Sequence, residues 1–267
     1  MVNSFFQDTD SLNYLIDNLL FDYSLNTLYL VLITSFFSLI MGVIPAWFIS
    51  NYKFKFRRII DLILYLPLAI PTYIMAFTYS ELLSFTGPFN IKYDFLQIEF
   101  LGIILSFSLY PYIYSVSRIS FSLFGSRYLD IAKNLGLTGF QTLYKVVLPL
   151  SRPAIFSGLF LVIMEVLNEY GAVKYFGVNT FTIGIFRSWN SMNDTGAAIQ
   201  LSSILLFIVA FLFFIEKYLN QYKKFSFFKN SKINTLNFPG KKKLFLIYIL
   251  CLVPVFLAFL IPVLFNI

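Results

Sequence analysis

Two carboxylates, Glu165 and Glu169, stand four residues apart inside a strongly apolar stretch. On a helix that spacing puts both on one face. A charge at the centre of a membrane span costs roughly 2.5 to 3.5 kcal/mol on insertion scales, so each needs a reason. Carboxylates are hard oxygen donors, suited to lining a path for a hard cation such as Fe(III). The alternative is structural: a pair bonded to Asn168, Arg118 or a tyrosine of a neighbouring span, or charges at a solvated helix end. Tyr110, Tyr112 and Tyr114 carry phenols able to ligate such an ion, but tyrosines in spans more often pack or anchor at the interface. Arg118 lies near the end of an apolar run, where its long side chain can reach the interface.

Composition excludes most other chemistry. Histidine is absent from the 267 residues, which removes the commonest general base and metal ligand. A single cysteine, Cys251, rules out a disulfide framework and argues against a thiol catalyst. No G-x-x-x-x-G-K-[ST] loop occurs, so any nucleotide chemistry must come from a partner. The chain is expected to be no enzyme and to carry no cofactor.

The elements that position these residues are membrane spans. The chain is 58% hydrophobic and 20% aromatic, above the roughly 45 to 50% apolar content of soluble domains. Six stretches are long enough to cross a bilayer: 25–50, 59–85, 100–124, 153–173, 197–219 and 244–265. Pro67, Pro71 and Pro111 fall inside them and read as kinks, since neighbouring helices and water can satisfy the freed carbonyls. The fold expected is an all-α polytopic transmembrane helix bundle.

The +7 net charge follows topology and does not call for nucleic acid. Three linkers, around 51–58, 125–152 and 217–243, hold 16 of the 20 basic residues and lie on one side if every span crosses. By the positive-inside rule that side is the cytoplasm. Residues 1–24 carry Asp8, Asp10, Asp17 and Asp22 and no Lys or Arg, which places the amino terminus outside. No secretory signal peptide is visible before the first span. The lysine-rich stretch 221–243 reads as a cytoplasmic linker able to bind anionic lipid headgroups. Segment 180–189 reads as a short amphipathic helix at the outer surface, with Phe181, Ile185 and Trp189 at four-residue steps and one charge, Arg187.

Between the third and fourth spans runs DIAKNLGLTGFQTLYKVVLPLSRPAI, residues 130–155. Gly136 and Gly139 break it and Pro149 stops the second piece, giving helix, turn, helix. Ile131 with Leu135, then Phe140, Leu143 or Tyr144, and Val147, give each short helix an apolar side. Such a pair could lie passively on the membrane surface or dock a soluble partner.

The spacing Asp130, Ile131, Ala132, Gly136, Val146, Leu148, Pro149 resembles the EAA signature of the membrane subunits of binding-protein-dependent ABC importers. That resemblance implies a type I importer permease-like fold in which 128–149 is the coupling segment, seated on a cytoplasmic ABC ATPase dimer through Asp130, Ala132, Gly136, Val146, Leu148 and Pro149. Asp130 and Ile131 replace the usual Glu and Ala. The stretches LYPYIYSVSR, LPLSRPAIFSGLFLVIMEVLNEYGAVKYFGV and TFTIGIFRSW, beginning at 109, 148 and 180, look like the ferric-iron branch. The resemblance covers about 25–220. It implies a periplasmic solute-binding protein docking near Arg187 and Trp189, and residence in a bacterial inner membrane. The span 244–267 resembles the start of a second permease half, fused or separate. Related permeases for thiamine, a polyamine or a phosphonate share this segment, so it does not encode the substrate. A secondary transporter would leave the glycine-to-proline spacing unexplained.

Overall fold

The second apolar stretch shows how two prolines four apart reshape a span. In the computed structural model, which describes residues 20–84, 87, 95–123, 134, 136–221 and 238–266, every regular element is helical. Helix α1 spans Leu20–Asn51. Helix α2, Arg57–Ile63, runs into a 3-10 turn at Leu66–Ala69, and α3 follows at Thr72–Leu83. The sequence leads one to expect a single kinked helix for the second span. Instead α2 and α3 meet at 90°. Pro71 bars Ile70 from the helical region, and Ile70 is extended with ψ 117°. Pro71 itself is extended at ψ 141° and begins α3.

Helix α4 spans Ile98–Leu123 and keeps Pro111 inside it without a break. A short α5, Gly139–Thr142, passes through a π turn at Leu143–Val147 into α6, Leu148–Asn168. The fourth span therefore begins and ends about five residues earlier than expected, with Glu169 extended at ψ 124° just past its end. Next come α7, Gly171–Tyr175, and α8, Phe181–Asn190. Helix α9 is Thr195–Gln221, and α10, Lys241–Val255, continues through a π turn at Phe256–Leu260 into α11, Ile261–Asn266. Among the described residues five stretches are long and apolar enough to cross a membrane, six if the bent pair counts as one span.

Both π turns end one residue before a proline-bearing turn, at Pro149 and Pro262. A proline has no N–H for the preceding turn, and one extra residue in that turn relieves the clash of its ring. At the second site the Tyr79 hydroxyl of α3 donates to the Leu257 carbonyl, five residues before the proline.

Helix α4 is the centre, with α1 along one side and α6 along another. Glycines set the separation. A Cβ on Gly42 of α1 would lie 2.9 Å from the Ile113 Cβ, and one on Gly158 of α6 would lie 3.0 Å from the Ile113 Cα. Ile113 is thus gripped from two sides, as small residues permit in membrane bundles. Helix α9 packs outside against α6 and α8, while α10 packs on α1 and α2 and α11 on α3.

The helix ends sort by charge. One end gathers Lys53, Lys55, Arg57, Arg58, Lys145, Arg152, Lys217 and the lysines 241–243. The other gathers Asp22, Glu81, Glu99, Glu169 and Asp194 beside Lys174 and Arg187.

Candidate functional site

The segment that leaves the bundle at the basic end is built as an extension of α6. Asp130, Ile131, Ala132 and Lys133 lie outside the described residues. Gly136 is exposed at φ 72°, with nothing within 4 Å of a Cβ placed there, so it marks a left-handed turn open to solvent. Thr138 then starts α5 reciprocally with Gln141. The Thr138 N–H donates to Gln141 Oε1 at 2.9 Å, and the Gln141 N–H points back at Thr138 Oγ1 at 3.4 Å. That is a capping box, and its T-x-x-Q pattern stood in the sequence unread.

From there the helix continues without interruption to Asn168, so Pro149 does not stop the second piece as expected but is accommodated just after the π turn. Leu143 and Val147 turn into the core while Tyr144, 68% exposed, and Lys145 face out. Of the two candidates for the apolar side, Leu143 takes it. Val146, Leu148 and Pro149 are half-buried where the segment enters the bundle. Asn134, Gly136, Thr138 and Gln141 are exposed. The segment thus offers a polar, exposed surface on a helical path continuous with α6.

Close by is a polar cluster that residue spacing alone does not reveal. Arg118 near the end of α4 pairs with Asp61 of α2 at 3.2 Å, and the Tyr114 hydroxyl donates to the other Asp61 oxygen. Tyr65 sets its ring edge-on to Tyr114 at 5.2 Å. Arg57 donates to the Ile49 carbonyl at 2.6 Å, and the Ser50 hydroxyl to the Arg118 carbonyl at 3.3 Å. The cluster ties α1, α2 and α4 together at the basic end. Arg118, expected to reach for the interface, is held instead by a carboxylate 57 residues away. The available signal was a lone acid and a lone arginine, each in its own apolar run.

The two candidate path carboxylates part company. Glu165 is exposed on α6 and accepts from the Tyr112 hydroxyl at 3.1 Å. Glu169 lies beyond the helix, accepting from the Thr72 hydroxyl at 2.6 Å and from the Ala172 N–H at 2.9 Å. Its carbonyl accepts from Thr182 at 2.8 Å. Glu169 therefore caps α7 and braces the start of α3. The two acids do not share a helical face, because the helix ends between them. Asn168 bonds to its own helix at Met164, not to either acid. Among the described residues no three acidic or sulfur side chains gather as a metal site.

At the acidic end α8 forms as expected. Phe181 is buried and its N–H donates to Thr27 of α1, whereas Trp189 is 52% exposed. The stripe of four-residue steps is thus buried at one end and open at the other. Phe186 stacks on Tyr170 at 3.9 Å with Trp189 tilted against it. Arg187 reaches the Tyr23 hydroxyl at 3.5 Å.

Comparisons with known proteins agree with this architecture. The sulfate transport system permease protein CysT of Salmonella typhimurium is 31% identical over 159 residues, which cover 57% of this chain and 57% of that protein. The alignment thus spans little more than half of that relative. The Fe(3+)-transport system permease protein FbpB 2 of Haemophilus influenzae is 25% identical over 72% of this chain and 36% of its own length. The molybdenum transport system permease protein ModB of Azotobacter vinelandii is 25% identical over 70% of this chain and 88% of its own. A chain of a bacterial alginate ABC transporter, solved with its alginate pentasaccharide-bound periplasmic protein, superposes with TM-score 0.65 over 83% of this chain and 85% of that one, at 19% identity. The last of these speaks to fold alone. A family model, that of the inner membrane component of binding-protein-dependent transport systems, matches residues 20–224, and the chain belongs to that family.

Proposed function

We propose that this chain is the membrane-spanning subunit of an ATP-driven importer fed by an extracytoplasmic solute-binding protein. The observation that carries the reading is the capped helix at Gly139–Thr142, running unbroken into α6 with its polar surface exposed at the basic end. A lever of that form can receive a push from a soluble partner and deliver it to the far side of the bundle. The basic end is the cytoplasmic one by its lysines and arginines, so Leu20 is extracytoplasmic. Asp130, Ala132, Gly136, Val146, Leu148 and Pro149 form the coupling element on the ATPase dimer. The subunit itself makes and breaks no bond.

When the ATPase dimer closes on ATP, the coupling segment moves with it. The displacement travels along α6 to Asn168, beside which Glu169 holds Thr72 and Ala172. Movement there shifts α3, α7 and α8 at the outer end. Glu165 faces the translocation path, because an exposed carboxylate on a span is too costly against lipid. A second permease half, fused or separate, forms the other wall. Arg187 and Trp189, exposed on the outer helix, contact the loaded binding protein.

For the cargo, the path carboxylate favours a cation, and the likeness to a ferric-iron permease supports Fe(III). The likeness to sulfate and molybdenum permeases supports a second reading, an oxyanion. Reconstitution of the chain with its ATPase, second half and binding protein into vesicles tests both. Uptake of Fe(III) that needs ATP and is lost in Asp130→Arg is expected. Uptake of sulfate instead would select the second reading, and transport indifferent to ATP or to Asp130→Arg would end the importer reading.

A further inference from the structure

Two linkers far apart in the sequence meet at one corner of the basic end. The turn after α1 supplies Lys53 and Lys55, the start of α2 supplies Arg57 and Arg58, and the start of α10 supplies three lysines at 241–243. Lys243 Nζ donates to the Tyr52 hydroxyl at 2.5 Å and lies 4.4 Å from the ring centroid. Lys53 sits 5.5 Å over the Phe238 ring. Tyr248 donates to the Lys55 carbonyl at 2.8 Å and packs edge-on against Phe54. The corner is therefore a fixed piece of tertiary structure.

Its charge is not balanced locally. Neither 51–60 nor 238–250 contains an acidic residue, and the nearest in sequence, Asp61, is already engaged by Arg118 and Tyr114. Lys53, Lys55, Arg58, Lys241 and Lys242 are exposed. Directly beyond the basic residues, each helix turns apolar and exposed: Ile59 and Leu62 on α2, Phe245 and Leu246 on α10. Phe56 is 57% exposed and held at φ 61°, a backbone region that aromatic residues rarely occupy. Basic heads with apolar flanks match an amphiphile whose head is an anion and whose tail lies in hydrocarbon.

We propose that this corner binds the phosphate headgroup of an anionic phospholipid, its acyl chains lying along α2 and α10. A free phosphate would not need the apolar flank, and an acidic protein surface would not follow the helices into hydrocarbon. The bound lipid clamps α10, which lies beyond the family-matched residues 20–224, to the α1–α2 turn. The proposal draws on the importer reading only in placing this end at a leaflet surface.

The test needs neither ATPase nor transport, so its failure is separate from failure of that reading. The full chain, purified in detergent, is titrated with phosphatidylglycerol or phosphatidylcholine, and bound lipid is counted by native mass spectrometry. Retention of phosphatidylglycerol over phosphatidylcholine is expected. It should fall about fivefold for each charge removed in Lys53→Ser, Lys241→Ser, Lys242→Ser combined. The charge-matched set Lys145→Ser, Arg152→Ser, Lys217→Ser, at the same end but outside the corner, should retain it. Equal retention of both lipids by the wild type overturns the proposal and requires no variant to fold. Equal loss in both variant sets means diffuse attraction, and displacement of phosphatidylglycerol by equimolar inorganic phosphate means a simple anion site. Either result also overturns it.

Discussion

Helices α4 and α9 have nearly the same length, and both are apolar enough to cross a bilayer, yet 72% of the most apolar window of α4 is buried against 17% for α9. The buried helix is the less apolar of the two. It carries serines at 106, 108, 115, 117, 120 and 122 and three tyrosines, where α9 carries ILLFIVAFLFFI. In water the more apolar helix would go inside. In lipid, hydrocarbon is as good a neighbour for Leu206 or Phe207 as protein is, so apolarity no longer sorts inside from outside. Polar groups and close backbone approach sort them instead. Ser106, Ser115 and Ser122 of α4 bond back to their own helix at Ile103, Tyr112 and Ile119, whereas the buried hydroxyls of Ser108 and Ser117 have no partner among the described residues. Tyr114 and Arg118 reach Asp61.

The contrast can be broken most forcefully at the glycine contact. Gly158→Leu drives a side chain into the backbone of Ile113, and a loss of about 3 kcal/mol in detergent unfolding is expected, the upper end for overpacking. Next is the ion pair. Asp61→Ala strands Arg118, at a cost of about 2 kcal/mol, below the value for fully buried pairs because both side chains keep some exposure, 18% and 27%. The double variant Asp61→Ala, Arg118→Met should recover part of that loss; additive losses would deny the coupling. Smaller still is Tyr79→Phe, which removes the donor to Leu257 and should cost about 1 kcal/mol. On α9, Phe207→Leu should change stability by less than about 0.5 kcal/mol, since Phe207 is 72% exposed. An effect on α9 as large as that of Gly158→Leu would mean that its outer face is a protein contact, not a lipid one.

Much of the segment before α6 is legible in the sequence. Gly136 announces the turn, and Thr138 with Gln141 announces the cap, through rules that act within four residues, whereas Pro149 reads as a stop and instead lies inside a helix that runs on to Asn168. The clustering of Lys and Arg at one end is equally plain, because charge cannot be left in hydrocarbon. Glu165 and Glu169 are less so. Their spacing promises one face only if the helix continues, and Thr72, the Ala172 N–H and Thr182 are needed to see that Glu169 leaves it.

What the sequence determined by itself was therefore local: which stretches are helical and apolar, where the turn at Gly136 falls, and which end is basic. Only the tertiary structure decided the 90° break between α2 and α3, the choice of Asp61 as partner for Arg118, and the meeting of residues 51–58 with 238–243. The physical reason is range. Helix formation and capping are settled among near neighbours in the chain, whereas in a bilayer every apolar face is already satisfied by lipid. Which faces come together then depends on glycine contacts and polar pairs between residues far apart in sequence, and these exist only once the helices have packed.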